Sequence, residues 1–472
     1  MSILNDALKD PIFARIGKTA DRLQQPTWVV GGFVRDYLLG HPGKDLDIVT
    51  VGSGTELATA IAEELNAPEI VIFENFGTAL VKSGDYQIEF IGARKESYRK
   101  NSRKPIVEDG SLIDDQNRRD FTINSFYISL NQENYGEFLD PFNGLEDLKQ
   151  GIIRTPLNPD LTFSDDPLRM MRAARFAARL DYQIEPLTFE AISRNKQRIE
   201  IVSMERVSEE LNKLILSPWP SKGFMVLFKT GLLEIIFPEF CKLHGVKYIN
   251  GKGHKDNFYH TLQVLENLCT TSDDLWLRWS ALLHDIAKPQ TAAFDPIAGW
   301  SFHGHEDKGA RMVPKIFTRL KLPMNEKMKF VQKMVKLHLR PISLVDEIVT
   351  DSAVRRLIME AGEDLDDLIK LCRADITTRD TGKQKRYQNN FTEVEKKIKE
   401  VEERDQLRNW QPPVSGEMIM DYFKLAPGPQ VGEIKNMIRE AILEGQIPND
   451  KAAAWDLMIQ IGTQMFPSNP PE

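Results

Sequence analysis

A chain of 472 residues with a hydrophobic fraction of 41% is too long for one core and rich enough in apolar residues for globular folding, which predicts roughly two to four domains. Its net charge of −8 argues against a protein that coats nucleic acid non-specifically, while leaving room for a local basic groove. No segment approaches the roughly 18 uncharged apolar residues of a membrane span, so no membrane partner is expected.

The opening stretch, MSILNDALKDPIFARIG, carries acidic residues and lacks a long apolar core with a small-residue cleavage site, so it does not read as a signal peptide. Cys241, Cys269 and Cys372 form no CxxC pair, which predicts reduced thiols and a cytoplasmic location.

Along the chain, residues 1–140 alternate short strands with helices: TWVVGG, KDLDIVTV, EIVIFENF, TALVKSG, YQIEFIGA, TINSFYISL and GEFLDPF read as strands. Helical periodicity takes over from GLEDLKQG, with DDPLRMMRAARFAARL and VSMERVSEELNKLIL as long amphipathic stretches in a segment 141–220. SPWPSKG interrupts the pattern, and residues 221–380 are predicted to form a separate all-helical body in which the histidines cluster from His244 to His338. The last region, 381–472, carries the charged helix FTEVEKKIKEVEERDQLRNW from Phe391 and, after a QPP break, a tail whose helix around residues 431–442 turns Val431, Ile434, Ile438, Ala441 and Ile442 inward.

The first segment carries chemistry in VVGGFVRDYLLGHPGKDLDIVT, residues 29–50. Side chains alternate along a strand, so Asp45 and Asp47 share one face while Leu46 and Ile48 enter a core. Paired carboxylates repel unless a cation lies between them, and two magnesium ions about 3.5–4 Å apart would activate a hydroxyl and steady a leaving phosphate. Glu89, alternating with Ile88 and Phe90 on a neighbouring strand, is the candidate third carboxylate. Gly31 and Gly32 end a strand and open a helix, where bare backbone N–H groups reach a triphosphate, with Arg35 on the first turn. Alone, a DxD beside a glycine turn is more often a solvent-facing pair; the combination with GGxVRD is far more specific.

Three ordered motifs, GGFVRDYLLGHPGKDLDI, RRDFTINSF at 118–126 and DDPLRMMRAARFAARL at 165–180, resemble those of the class II tRNA nucleotidyltransferases, the CCA-adding enzymes, and of the related bacterial poly(A) polymerases. HTLQVLENL and LRWSALLHDIAKP extend the resemblance into an HD-type domain. It implies an α/β head of the nucleotidyltransferase, polymerase-β-like, type, followed by an all-helical neck, an HD-type body and a tail. It also implies that Asp45 and Asp47 bind magnesium and that Gly32, Arg35 and Arg119 hold the nucleotide. Asp166 and Arg169 match the pair that reads the Watson–Crick edge of CTP or ATP. A carboxylate accepts from an exocyclic amino group and a guanidinium donates to a ring nitrogen or carbonyl, which suits C and A over U and G. Arg172 and Arg175 continue the stripe at i+3 spacing, although a solvated arginine face is the plain alternative.

Arg118, Arg119 and Asp120 taken alone are a cap or surface triplet; within the family pattern Arg119 is the site candidate and Asn124 a structural one. The preceding ARKESYRKNSRKP, residues 93–105, lacks apolar periodicity and reads as a mobile loop, either cradling RNA, closing over the nucleotide, or serving as a solvated linker.

In HD phosphohydrolases one His, an adjacent His–Asp pair and a distant Asp bind a divalent metal. His260, His284, Asp285 and Asp375 fit that order, and His305 and His338 are candidates for a second ion. Imidazole with carboxylate suits magnesium, manganese, nickel or iron. The body is then a hydrolase of phosphomonoesters or cyclic phosphates, or a structural domain. The whole reads as an enzyme with tRNA, CTP and ATP as partners, adding CCA by two-metal nucleotidyl transfer. A poly(A) polymerase of the same fold is the alternative, disfavoured by the absence of a Gly-Arg-Arg-Phe type element. A third reading is an HD phosphohydrolase whose head only binds RNA or nucleotide.

Overall fold

The computed structural model describes residues 7–41, 43–65, 67, 69–74, 77–97, 106–346, 350–378, 380–405 and 413–466. These fall into two compact units, Met1–Cys241 and Lys242–Glu472.

In the first unit, α1 (Pro11–Arg22), β1 (Thr27–Val30), α2 (Gly32–Leu38), β2 (Asp45–Thr50), α3 (Gly54–Glu64), β3 (Glu69–Phe73), β4 (Thr78–Ser83) and β5 (Tyr86–Gly92) precede a lateral hairpin of β6 (Arg94–Ser97) and β7 (Ile106–Asp109). Helix α4 (Leu112–Asn117), β8 (Tyr127–Ser129) and β9 (Phe138–Leu139) complete the head. Seven strands form one sheet in the order β3-β4-β5-β2-β1-β8-β9, with β2 parallel to β5 and β1 antiparallel to both β2 and β8. The apolar run TWVV of β1 is buried along its whole length, as an inner strand covered on both faces requires. On β2, Leu46 and Ile48 are buried. The opposite face starts with Asp45 and Asp47 and runs into an apolar cluster of Trp28, Val30, Val49 and Tyr127.

The β6–β7 hairpin departs from the loop expected at 93–105: its register sets Arg94 opposite Asp109 and Lys95 opposite Glu108, cross-strand charge pairs that favour a ladder. Residues 98–105 of that expected loop lie outside the described residues.

The sheet gives way to α5 (Gly144–Gln150), β10 (Ile152–Ile153), α6 (Pro159–Asp165), α7 (Leu168–Leu180), β11 (Gln183–Ile184), α8 (Pro186–Asn195), α9 (Met204–Ile215), α10 (Pro220–Lys229), α11 (Leu232–Ile236) and α12 (Pro238–Cys241). The sequence reading opens the body at residue 221, whereas the first unit runs on to Cys241. The reason is close packing of α10 on α7: a Cβ at Gly223 would lie 2.9 Å from the Ala174 carbonyl oxygen, so glycine lets the two backbones meet.

The second unit starts with a hairpin of β12 (Tyr248–Ile249) and β13 (Lys252–Gly253), then α13 (Asn257–Cys269), α14 (Leu275–Leu283) and α15 (Lys288–Thr291). A second hairpin, β14 (Ala293–Asp295) and β15 (Gly299–Ser301), leads into α16 (His305–Arg319), α17 (Glu326–Leu337), α18 (Arg340–Asp346), α19 (Asp351–Ala361) and α20 (Leu365–Ala374). The charged helix α21 (Thr381–Asp405) begins ten residues before the Phe391 start read from the sequence. Its first turns are polar, so apolar periodicity does not mark them. The tail helices α22 (Gly416–Phe423), α23 (Pro429–Leu443) and α24 (Lys451–Met465) share a core that includes Val431, Ile434, Ile438 and Ile442. Arg356 on α19 bridges Glu440 and Glu444 of α23.

Candidate active site and metal centre

The parallel register of β2 and β5 pairs Asp47 with Glu89 and Asp45 with Gln87, which puts Asp45, Asp47 and Glu89 on one face of two neighbouring strands. Burial pushes the Asp47 carboxyl up and Asp45 adds to it, against the pull of Arg119, Arg172 and Arg35. Burial and then Asp47 push Glu89 up in the same way, against Arg94, Arg118 and Arg119. Two neighbouring carboxylates that both resist ionisation are a site short of positive charge.

Gly31 ends β1 at φ +71, and a Cβ there would come 3.3 Å from Asp47 Oδ2 and 3.5 Å from Arg119 Nη1. The turn therefore needs glycine twice over, for its backbone angle and for the narrow space between those two side chains. Its own N–H is committed to the Phe126 carbonyl. Gly32 starts α2, whose first-turn N–H groups lack intrahelical partners.

Arg119 is aimed at this spot by residues that the sequence reading does not single out. Its Nε and Nη2 donate to Asp115 Oδ2 at 3.1 and 2.8 Å, and Tyr127 Oη donates to the same oxygen at 2.9 Å. Burial works against the Asp115 charge, but Arg119 and Arg118 outweigh it and hold the carboxyl at about 2. The one sequence signal was a second acid in LIDDQNRRD, spaced i to i+4 from Arg119.

Arg172 Nε donates to Asp120 Oδ2 at 2.7 Å, and Asn124 Nδ2 donates to Asp120 Oδ1 at 3.0 Å. Asp166 ends α6 in an extended conformation and caps α7 by accepting from Leu168 N at 3.2 Å. Arg169, in the first turn of α7, donates through Nη2 to the Arg118 carbonyl at 2.6 Å. That bond ties the base-reading candidates to the segment carrying Arg119.

Arg35 and Arg175, grouped by the sequence with the nucleotide contacts, are placed differently. Arg35 is 2% exposed, donates to Asp36 and Asn124, and lies over the Phe176 ring at 5.0 Å. Arg175 donates to Glu210 at 2.7 Å and covers the same ring at 4.4 Å. Both guanidiniums are used internally, fastening α7 to α2 and α9, because a buried charge needs partners on all sides.

In the second unit, α13, α14, α16, α17 and the end of α20 bring six side chains together. His260 Nε2 lies 2.9 Å from Asp375 Oδ1 and 3.4 Å from Asp285 Oδ2. His284 Nε2 is 3.2 Å from Asp285 Oδ2. On the other oxygen, His305 Nε2 lies 3.3 Å and His338 Nε2 3.9 Å from Asp285 Oδ1. Two ligand groups result, His260–His284–Asp285 and Asp285–His305–His338, with Asp285 common to both. The Nδ1 atoms of His284, His305 and His338 each sit 2.7 Å from a main-chain carbonyl, of Ala281, Phe302 and Val335, which turns the Nε2 lone pairs toward Asp285. His284 Nε2 and Asp285 Oδ1 are buried without a hydrogen-bond partner, and burial followed by His284 holds His338 neutral, down to about 3. Four imidazoles with Nε2 atoms converging on one buried carboxylate, one of whose oxygens lacks a hydrogen bond, fit a divalent cation. Cys372, whose Sγ contacts the His338 carbonyl at 3.1 Å, supports this cluster from behind and had no sequence signal beyond being apolar-like.

A mixed sheet with acids across a parallel strand pair, followed by a helical arm and a histidine-rich metal centre, defines a nucleotidyltransferase head joined to an HD-type body. Residues 27–154 match the poly A polymerase head domain, residues 181–243 the "probable RNA and SrmB-binding site of polymerase A", and residues 257–380 the HD domain. The A-adding tRNA nucleotidyltransferase of Deinococcus radiodurans is 33% identical over 436 residues, covering 90% of this chain and 93% of that one. The multifunctional CCA protein of Nitrosococcus oceani is 34% identical over 305 residues, 63% of this chain and 70% of that one. The solved CCA-adding enzyme of Thermotoga maritima complexed with tRNA shares the fold, with a TM-score of 0.60 at 23% identity over 98% of both chains. The chain belongs to the tRNA nucleotidyltransferase family. Both of its domain types depend on divalent metal, and no helix among the described residues is long and apolar enough to cross a membrane.

Proposed function

We propose that the protein is a template-independent tRNA nucleotidyltransferase that adds C, C and A, from CTP and ATP, to tRNA 3′ ends. The observation that carries this reading is the in-register pair Asp47–Glu89 beside Asp45, facing an arginine fixed by Asp115. Asp45, Asp47 and Glu89 are the residues to hold magnesium, which supplies charge neutralisation at the attacking and leaving oxygens. The terminal 3′-hydroxyl of tRNA attacks the α-phosphate, a new phosphodiester forms and pyrophosphate leaves. The N–H groups opening α2 and the Arg119 guanidinium bind the triphosphate. Asp166 and Arg169 select the base, with Arg172 alongside, while Arg35 and Arg175 position α7. No side chain acts as nucleophile; positioning and charge stabilisation suffice.

The proposed division is a head over 1–140, a neck over 141–241, an HD body over 242–380 and a tail over 381–472, the neck being extended from 220 to Cys241 by the packing of α10 on α7. In the HD centre His260, His284, Asp285 and Asp375 would hold magnesium, manganese, nickel or iron, with His305 and His338 for a second ion, and the metal would supply a water for phosphoester hydrolysis. Three free cysteines support a cytoplasmic location.

A-only addition is a second reading, favoured by the Deinococcus relative named an A-adding enzyme that aligns over nearly its whole length. The test uses tRNA ending before CCA and tRNA ending in CC, each with one labelled nucleotide at a time. Incorporation of C followed by A supports the main reading, and A on the CC-ended tRNA alone supports the second. Long A tails on unrelated RNA, or no incorporation at all, would overturn both.

A further inference from the structure

Lys255 differs from the other lysine beside the HD centre. Lys288 Nζ is paired with Asp285 Oδ2 at 2.7 Å. Lys255 Nζ instead sits 2.9 Å from His260 Nδ1 and donates to Thr377 Oγ1; among the described residues no carboxylate forms an ion pair with it, and Asp375 and Asp285 act on it only from longer range. A cation next to metal ligands with no carboxylate of its own has charge left to offer.

Its position is built rather than accidental. His254 Nδ1 meets the Lys255 carbonyl at 2.7 Å, and the His254 ring stands edge-on to Trp300 and Phe302 at 5.1 and 5.6 Å. Trp300 Nε1 donates to the Lys252 carbonyl at 3.0 Å, joining the β14–β15 hairpin to the β12–β13 hairpin. The same aromatic wall continues into the Phe302 carbonyl that orients His305. Two hairpins thus fix both Lys255 and one ligand of the centre.

His260 is also the exception among the four imidazoles. The other three direct Nδ1 at a carbonyl, whereas His260 Nδ1 faces an ammonium and, at 2.9 Å, a hydroxyl. Were His260 to hold a metal through Nε2, its proton would lie on Nδ1, directed at Thr377 Oγ1, and Nδ1 would offer Lys255 no lone pair. The ammonium would then have one acceptor fewer and a bond to give to another.

We propose that Lys255 is a substrate-binding residue of the HD centre, its ammonium taking a non-bridging oxygen of a phosphoester anion. The proposal rests on the reading of the body as a phosphohydrolase. The shared chemistry is a terminal phosphoryl group, carried by an RNA end or by a mononucleotide.

The test uses the full chain loaded with manganese, comparing wild type with Lys255→Gln and Lys255→Arg. Inorganic phosphate binding is measured by calorimetry, and metal per chain by mass spectrometry. Glutamine should weaken phosphate binding about tenfold with metal content unchanged, and arginine should restore most of it, the pattern of a lost charge-assisted bond. Kinetics on a 3′-phosphorylated oligoribonucleotide and on a mononucleotide then show which source is used, through a raised KM in Lys255→Gln. Equal phosphate affinity in all three proteins, no phosphate binding by wild type, or loss of metal together with phosphate in Lys255→Gln would overturn the proposal. Lysine-dependent phosphate binding without hydrolysis of either substrate would sink the hydrolase reading and leave the anion site standing.

Discussion

Asp47 and Glu89 face one another in register across the parallel strands β2 and β5, forty-two positions apart in sequence yet neighbours on one face. Burial raises the cost of ionising both, Asp47 adds to that of Glu89 and Asp45 to that of Asp47, so the three acids together call for a cation beside them.

Replacing Asp47 by Asn should therefore abolish nucleotide addition without lowering the melting temperature. A carboxyl pushed up in the folded state takes stability away as pH rises through its ordinary value toward its raised one, and the amide removes that penalty. Addition rates and thermal melts at neutral pH check both halves. Full activity in Asp47→Asn would rule out the acid face as the reaction centre. For the same reason the affinity of the head for magnesium should weaken on acidification already above the ordinary carboxylate value of about 4, because protons compete with the metal for these acids.

Asp115 carries the opposite sign. Burial opposes its charge, but Arg119 and Arg118 hold it at about 2, so it contributes stability above its ordinary value that is lost as pH falls from about 4 to about 2. Asp115→Ala breaks a buried ion pair and should cost about 3–5 kcal/mol. It should also reduce kcat/KM for addition by releasing Arg119. Urea unfolding at several acidic pH values should show a shallower slope in Asp115→Asn than in wild type.

Base selection is tested by Asp166→Asn, which keeps an oxygen for the Leu168 cap while replacing an acceptor by a donor. Discrimination against UTP and GTP should fall by about 1–3 kcal/mol, with CTP binding changed far less. The measurement is kcat/KM for all four nucleotides on tRNA ending before CCA. Unchanged selectivity would mean that the base is read elsewhere.

The two chemistries should separate cleanly. Asp285→Asn, alone or with His284→Ala, removes the carboxylate common to both ligand groups and should strip metal from the body and end phosphoester hydrolysis. CTP and ATP incorporation should persist, since the acids of the head belong to another compact unit. Collapse of incorporation in a folded, metal-depleted variant would show that the sites are coupled.

The sequence by itself determined the residue types and their local geometry. Alternation along KDLDIVTV put Asp45 and Asp47 on one face, GG between strand and helix marked a turn that only glycine fits, and helical spacing aligned Arg169, Arg172 and Arg175. The histidine and aspartate order along 260–375 was legible through its resemblance to the order found in HD phosphohydrolases. Tertiary structure alone decided which of these charges meet solvent. Arg175 looks like a site arginine by spacing and Arg35 by its place on the turn after the glycines, yet Phe176, Glu210 and Asn124 enclose them. Asp115 looks like a surface acid and is the buried anchor of Arg119. Whether a charge is free or spent depends on which neighbours the packing of helix on sheet supplies, and those neighbours come from parts of the chain that no local pattern connects.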